Sequence, residues 1–162
     1  MKNFSKLALL ALFIASGTFV TSCSDDDKAA EPASLYAKLG GTTMVADPNN
    51  PGQMIEQGRL SYRSVVDSTI TLIVSDIVVG AEGNLGEHFA PVISEALSGN
   101  ATNVAILSDN LTDFFSANTG GGATNVYTGL DMVTAHDPAQ NPRMGKKSND
   151  AEYDKFIGYV GA

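Results

Sequence analysis

Two histidines are the side chains with the widest range of chemistry in this sequence, and His136 stands in the more informative setting. The glycines at 120–122 end the preceding pattern, and Thr128 can cap a new helix. Met132, Val133 and His136 then share one face of that helix, which nearby prolines terminate. An inward-facing imidazole at the end of a short helix can be the axial ligand of a flat cofactor such as haem. The same spacing also suits a histidine that only completes a core or lies at the surface.

The other reactive side chains exclude several chemistries. Cys23 is the only cysteine, and the sequence has no Gly-x-Ser-x-Gly motif and no second histidine placed as a base. Nucleophilic hydrolysis is therefore unsupported. A structural zinc site lacks ligands. The sequence predicts a binding protein rather than an enzyme.

The first 22 residues have the pattern of a secretory signal peptide. Lys2 and Lys6 give a basic start, residues 7–20 are almost continuously apolar, and small residues follow. The ending Val-Thr-Ser-Cys resembles the lipobox of bacterial lipoproteins, in which the cysteine is acylated after cleavage. We therefore predict a signal peptide over 1–22 and lipidation of Cys23, so that the protein meets the membrane through its lipid anchor. The alternative is a stray free thiol.

Residues 23–33 are predicted to form an acidic tether, because they are small and charged and have no apolar periodicity. The cysteine followed by Ser-Asp-Asp-Asp resembles the export signal of some Bacteroidetes lipoproteins, which implies a place at the outer membrane, facing outward. A plain solvated tether is the alternative. The formal net charge of -8 opposes binding to nucleic acid.

Hydrophobic spacing predicts an all-α body over residues 34–162. From Met54 a long helical pattern begins, although its segment 65–74 is rich in β-branched residues that favour strands. Residues 42–58 are rich in turn formers and are predicted as an inserted loop. A later helix is predicted to begin near Asn100, Thr102 or Asn103, and a last one near Ser148, Asn149 or Asp150. The apolar stripes of these three helices are Val66, Ile70, Ile73 and Ile77; Val104, Leu107, Leu111 and Phe114; and Tyr153, Phe156, Ile157 and Val160.

Four segments, in chain order, resemble the group 1 truncated haemoglobins. They are the opening helix and glycine turn at Ser34–Gly41, a helix corner at Leu85–Phe89, the end of the distal helix at Leu111–Phe115, and the proximal-ligand segment at Tyr127–His136. The resemblance implies a globin-like sandwich of two helices over two that binds haem b and a diatomic gas such as dioxygen. Those globins add a further helix at the carboxyl end, so the resemblance also implies that one wall of the core is missing.

The resemblance implies a role for each candidate site residue. His136 would ligate the iron, and Phe89 would lie against the porphyrin. The apolar walls would be Leu107, Leu111, Phe115, Met132 and Ile70, for which plain core packing is the alternative. His88 is expected at the surface or beside the haem propionates rather than as a second ligand. The propionates could be neutralised by a basic turn that contains Arg143, Lys146 and Lys147.

The distal side departs from the family pattern. Ile70 stands where a tyrosine usually donates to the bound gas, and Leu111 stands where a glutamine assists it. Thr69 and Ser108 are each one residue away, which on a helix is a rotation of about 100°. Losing a buried donor costs roughly 1–3 kcal/mol, so weak gas retention is predicted. Two other functions stay open: a surface lipoprotein with a globin-like core but no haem, and a protein that captures haem transiently.

Overall fold

The computed structural model describes residues 31–162. The predicted signal peptide, the lipidation site Cys23 and all but the last residues of the tether lie outside the described residues. The elements, in order, are α1 (Leu35–Lys38), β1 (Met44–Ala46), β2 (Met54–Glu56), α2 (Gln57–Val78), α3 (Ala90–Leu97), α4 (Thr102–Ser116), a wide helical turn (Ala117–Gly121), α5 (Met132–Ala135) and α6 (Asp150–Val160).

The body is mostly helical, as predicted, but it is not purely α. The segment predicted as an inserted loop contains an antiparallel hairpin in which Val45 pairs with Ile55. α2 begins only at Gln57, three residues after the predicted helical pattern starts. Within residues 31–162, no helix is both long enough and apolar enough to cross a membrane.

The β-branched segment 65–74 lies entirely within α2, so periodicity outweighs local propensity here. The buried face carries Tyr62, Val66, Thr69 and Ile73. Val66 and Ile73 belong to the predicted stripe, whereas Ile70 and Ile77 are only half-buried. The inward face is therefore rotated slightly from the prediction, because Tyr62 and Thr69 take core positions that an apolar count assigns elsewhere.

Asp47 holds the hairpin turn and ties it to α2. Its carboxylate accepts hydrogen bonds from the Asn49 backbone N–H at 2.9 Å and the Asn50 amide at 2.9 Å. The Arg63 guanidinium lies 3.0 Å away. Mainly through the Asn50 bond, then that of Asn49, these partners lower the pKa of Asp47 from 3.8 to about 2. The carboxylate is thereby held in its charged form in the folded protein.

Replacing Asp47 with asparagine is expected to destabilise the protein at neutral pH but not in acid. Because the folded pKa of Asp47 is depressed, its contribution is fully present above 3.8 and is lost as the pH falls towards about 2. Denaturant unfolding of wild type and Asp47→Asn at pH 7 and at pH 2 measures this. The stability difference should be clear at pH 7 and shrink at pH 2. An equal difference at both values would contradict the assignment.

Tyr36 joins the first helix to the segment after α4. Its ring is buried, its hydroxyl donates to the Glu56 carboxylate, and the Asn125 amide donates to the Tyr36 oxygen at 2.8 Å and to Glu56 at 2.7 Å. Burial, reinforced by Glu56, raises the pKa of Tyr36 to about 12. Gly121 allows this packing, since a Cβ there would lie 2.8 Å from the tyrosine ring. The start of the segment that leads to His136 is thus fixed.

α4 and α6 each attach to α2 by polar contacts at their edges. Asp113 of α4 accepts from Arg59 at 2.8 Å. Asp76 of α2 accepts from the Tyr159 hydroxyl of α6 at 2.6 Å and pairs with Lys155 at 2.8 Å. These contacts leave the α6 stripe and, apart from Val104, the α4 stripe free to form the walls of one cavity.

Candidate functional site

A cavity of about 500 Å³ is lined by residues of α3, α4, α5 and α6 and of the segments between them. Its volume lies within the roughly 300–1,000 Å³ of small-molecule and cofactor sites. Its lining is mainly apolar. Six of the seven predicted site residues line it: Phe89, Leu107, Leu111, Phe115, Met132 and His136.

Ile70 is the exception among the predicted site residues. It lines a separate cleft between α2 and α4, together with Asp67 and Val104. Ile70 is therefore not a wall of the larger cavity, because the face of α2 that carries it is turned towards the start of α4. A side chain at position 70 faces the cleft rather than the larger cavity.

His136 directly follows α5, a helix of only four residues. Asp131 caps this helix, accepting from the N–H groups of Val133 and Thr134, so the predicted cap at Thr128 is wrong. The His136 Nδ1 atom lies 2.8 Å from the Met132 carbonyl oxygen, which can only accept. Nδ1 therefore carries the proton, and Nε2 keeps the lone pair that a metal needs.

His88, predicted at the surface or beside the propionates, is buried in the cavity wall with 2% of its surface exposed. Its Nδ1 donates to the Lys146 carbonyl at 2.7 Å, which again leaves Nε2 unprotonated. Burial is the main cause that lowers the pKa of His88, which favours the neutral ring. The imidazoles of His88 and His136 lie 5.8 Å apart between centroids and are parallel to within 13°.

The loop before α6 makes two hydrogen bonds to His88, one to its backbone and one to its side chain. Gly145 donates its N–H to the His88 carbonyl at 2.7 Å, while the imidazole donates to Lys146. Only glycine fits at 145, since a Cβ would lie 2.2 Å from the Glu87 carbonyl oxygen. Lys146 is in turn paired with Glu152 at 3.0 Å. The ring of His88 is therefore held in one orientation.

Glu152 connects that loop to the start of α6. It completes a capping box with Asn149, whose side chain accepts from the Glu152 N–H at 3.0 Å, while the Glu152 carboxylate accepts from the Asn149 N–H at 2.9 Å. The predicted cap and apolar stripe of the last helix are both present. Its four stripe residues, Tyr153, Phe156, Ile157 and Val160, all line the cavity.

The two hydroxyl groups nearest the expected distal positions, those of Thr69 and Ser108, bond elsewhere. The Thr69 hydroxyl donates to the Val65 carbonyl at 2.9 Å, and Ser108 donates to Asp67 at 3.0 Å. Neither residue lines the cavity. The lining does include Asn110. This polar residue follows Leu107 by three positions and so shares a face of α4 with it, but it is not part of the predicted apolar stripe.

Arg143 is the one residue of the predicted basic trio that lines the cavity. Lys146 pairs with Glu87 and Glu152, and Lys147 lies 3.6 Å from Asp137. Those two lysines therefore have carboxylate partners of their own. Arg143 is the cation best placed to meet an anionic group at this end of the cavity.

Across residues 31–162 there is no group of three or more histidine, cysteine, aspartate or glutamate side chains arranged to hold a metal ion. Comparisons with protein-family models, with curated proteins and with solved structures gave no match.

Proposed function

We propose that this protein binds haem b in the cavity, with His136 as a ligand to the iron. The observation that carries the proposal is a histidine, itself exposed, that lines an apolar cavity of about 500 Å³ and whose Nδ1 bond to the Met132 carbonyl leaves Nε2 free in the neutral ring. When bound, the haem would supply a metal centre that takes a diatomic gas such as dioxygen.

The chain's own residues fit such a group. Phe89, Leu107 and Leu111 present apolar surface to a flat ring and exclude water from it. Arg143 supplies a cation for a propionate. The Met132 carbonyl fixes the His136 tautomer and makes that imidazole a better ligand.

We also propose that the helical body is a truncated-globin fold. Its support is the chain order: a distal-wall helix, α4, is followed by the short α5 with its histidine and then by α6, and all three border one cavity. The hairpin at 44–56 is an addition between the first two helices of that plan. A globin-like core without haem remains the competing assignment.

Titration of the purified full chain with haemin tests the proposal. A single saturable site should appear, with an absorption band distinct from that of free haemin. Failure to saturate, or a spectrum identical to that of haemin with an unrelated acidic protein, would leave only the surface lipoprotein without haem.

Leu111→Gln is expected to slow dioxygen release about tenfold, because a new amide donor worth roughly 1.4 kcal/mol would face the bound gas. Ile70→Tyr is the matched control: it adds a donor at the other predicted distal position, which lines a separate cleft. Stopped-flow release from the reduced protein gives the rates. Slower release in Ile70→Tyr but not in Leu111→Gln would place the distal wall on α2 instead of α4.

Transient haem capture is a second candidate, favoured by the exposure of α5. Met132 and Val133 are 38% and 76% exposed on a helix of one turn, so few contacts oppose its movement. Haem held there should pass to a tighter-binding apoglobin within minutes. Retention for hours under the same conditions would favour a resident cofactor.

A further inference from the structure

We infer that His88 is a second ligand to the iron, so that both histidines of the chain bind one haem iron and a gas can bind only after His88 has left it. The inference rests on the proposed haem site. It concerns a residue that, from the sequence alone, is expected at the surface or beside the propionates.

The geometry of the two rings supports a shared metal. Two imidazoles that bind one metal from opposite sides, with metal–nitrogen bonds of roughly 2 Å, have their centroids roughly 6 Å apart. The centroids of His88 and His136 are 5.8 Å apart, with the rings parallel to within 13°. The centroid distance is therefore close to that of two imidazoles that share one metal.

The two imidazoles share a hydrogen-bond arrangement that suits a metal ligand. Each donates its Nδ1 proton to a backbone carbonyl, His136 to Met132 and His88 to Lys146. Among residues 31–162, neither Nε2 has a hydrogen-bond partner. Nδ1 bonding to a carbonyl is the arrangement that usually supports a metal-bound histidine.

The position of the His88 ring is fixed by its neighbours. His88 and the loop at Gly145–Lys146 exchange two hydrogen bonds, each 2.7 Å long. Phe89 meets the imidazole edge to face, with centroids 4.7 Å apart. His88 is thus a buried, oriented imidazole in the wall of a cavity that it shares with His136.

Gas binding would then require His88 to leave the iron first. At high carbon monoxide concentration, the observed rate should reach a ceiling set by dissociation of His88. Without His88 the same rate should rise in proportion to the gas concentration. His88 alone would control this step, and His136 would still hold the haem.

The experiment compares the haemin-loaded full chain with His88→Gln and His88→Leu. The wild type should be six-coordinate and low-spin by absorption and electron paramagnetic resonance, and both variants should be high-spin. Added imidazole should return both variants to the low-spin form. After reduction of the haem with dithionite, carbon monoxide association at saturating gas should be at least tenfold faster in the variants.

The two substitutions separate ligation from a structural role. Glutamine can still donate to the Lys146 carbonyl, so a role in holding the loop would survive in His88→Gln and be lost in His88→Leu. If only His88→Leu changes the spectrum, the inference is overturned. It is equally overturned if the wild type is high-spin and its carbon monoxide rate shows no ceiling, a result that leaves the proposed haem site standing. Absence of haem binding in the wild type removes both proposals.

Discussion

Replacing His136 with alanine is expected to weaken haem binding strongly. Loss of a residue that only supports a metal ligand costs roughly 10–100-fold in metal affinity, and loss of the ligand itself should cost more. In the proposed site the imidazole would be the ligand to the iron, and its Nδ1 bond to the Met132 carbonyl leaves Nε2 for that role in the neutral ring. Haem affinity, measured by competition with an apoglobin, gives the size of the loss. External imidazole should restore part of the spectrum by filling the vacated position.

Val133→Ala is the matched control for this substitution. Val133 lies on the same short helix and is largely exposed, and it does not line the cavity. It should leave haem affinity within a factor of about two, as surface changes usually alter free energies by less than 0.5 kcal/mol. If His136→Ala and Val133→Ala behaved alike, the histidine would have no role as a ligand.

The helices that border the cavity could be predicted because their signals are long and regular. The last helix has a capping box as well as a stripe, and the stripe predicts four of the five α6 residues that line the cavity, the fifth being Glu152. The helical state of 65–74 follows from its lack of alternation. The hairpin could not be found in this way, since strands of three residues are too short for alternation to show.

Some site residues can be predicted from nearby sequence, whereas the positions of others depend on contacts with residues far away in the chain. The predicted inward face of α5 is wrong for Val133, which is 76% exposed and does not line the cavity. Met132 and His136, which do line it, can be placed by local spacing. His88 cannot, because its burial depends on a loop 58 residues later that accepts its Nδ1 proton. Ile70 fails for a related reason: the choice of inward face on α2 is made by Tyr62 and Thr69, which pack inside. Periodicity gives the existence of a helix more reliably than its rotation.

Filling the cavity should abolish haem binding while the fold persists. Leu107→Trp places an indole in the α4 wall, where a flat ligand would lie, and haem affinity should fall at least tenfold, or roughly 1.4 kcal/mol. Overpacking commonly costs about 1–3 kcal/mol, which an open cavity can reduce by giving the ring room.

Val104→Trp is the control for the filled cavity, because Val104 lies one turn earlier on α4 and lines the separate cleft with Ile70. Haemin titration and circular dichroism of both variants distinguish the outcomes. Loss of haem binding in Leu107→Trp alone, with helical signal retained in both, locates the ligand in the larger cavity. Loss in Val104→Trp alone would move it to the cleft between α2 and α4, where neither histidine lies, and so remove His136 and His88 from the site together.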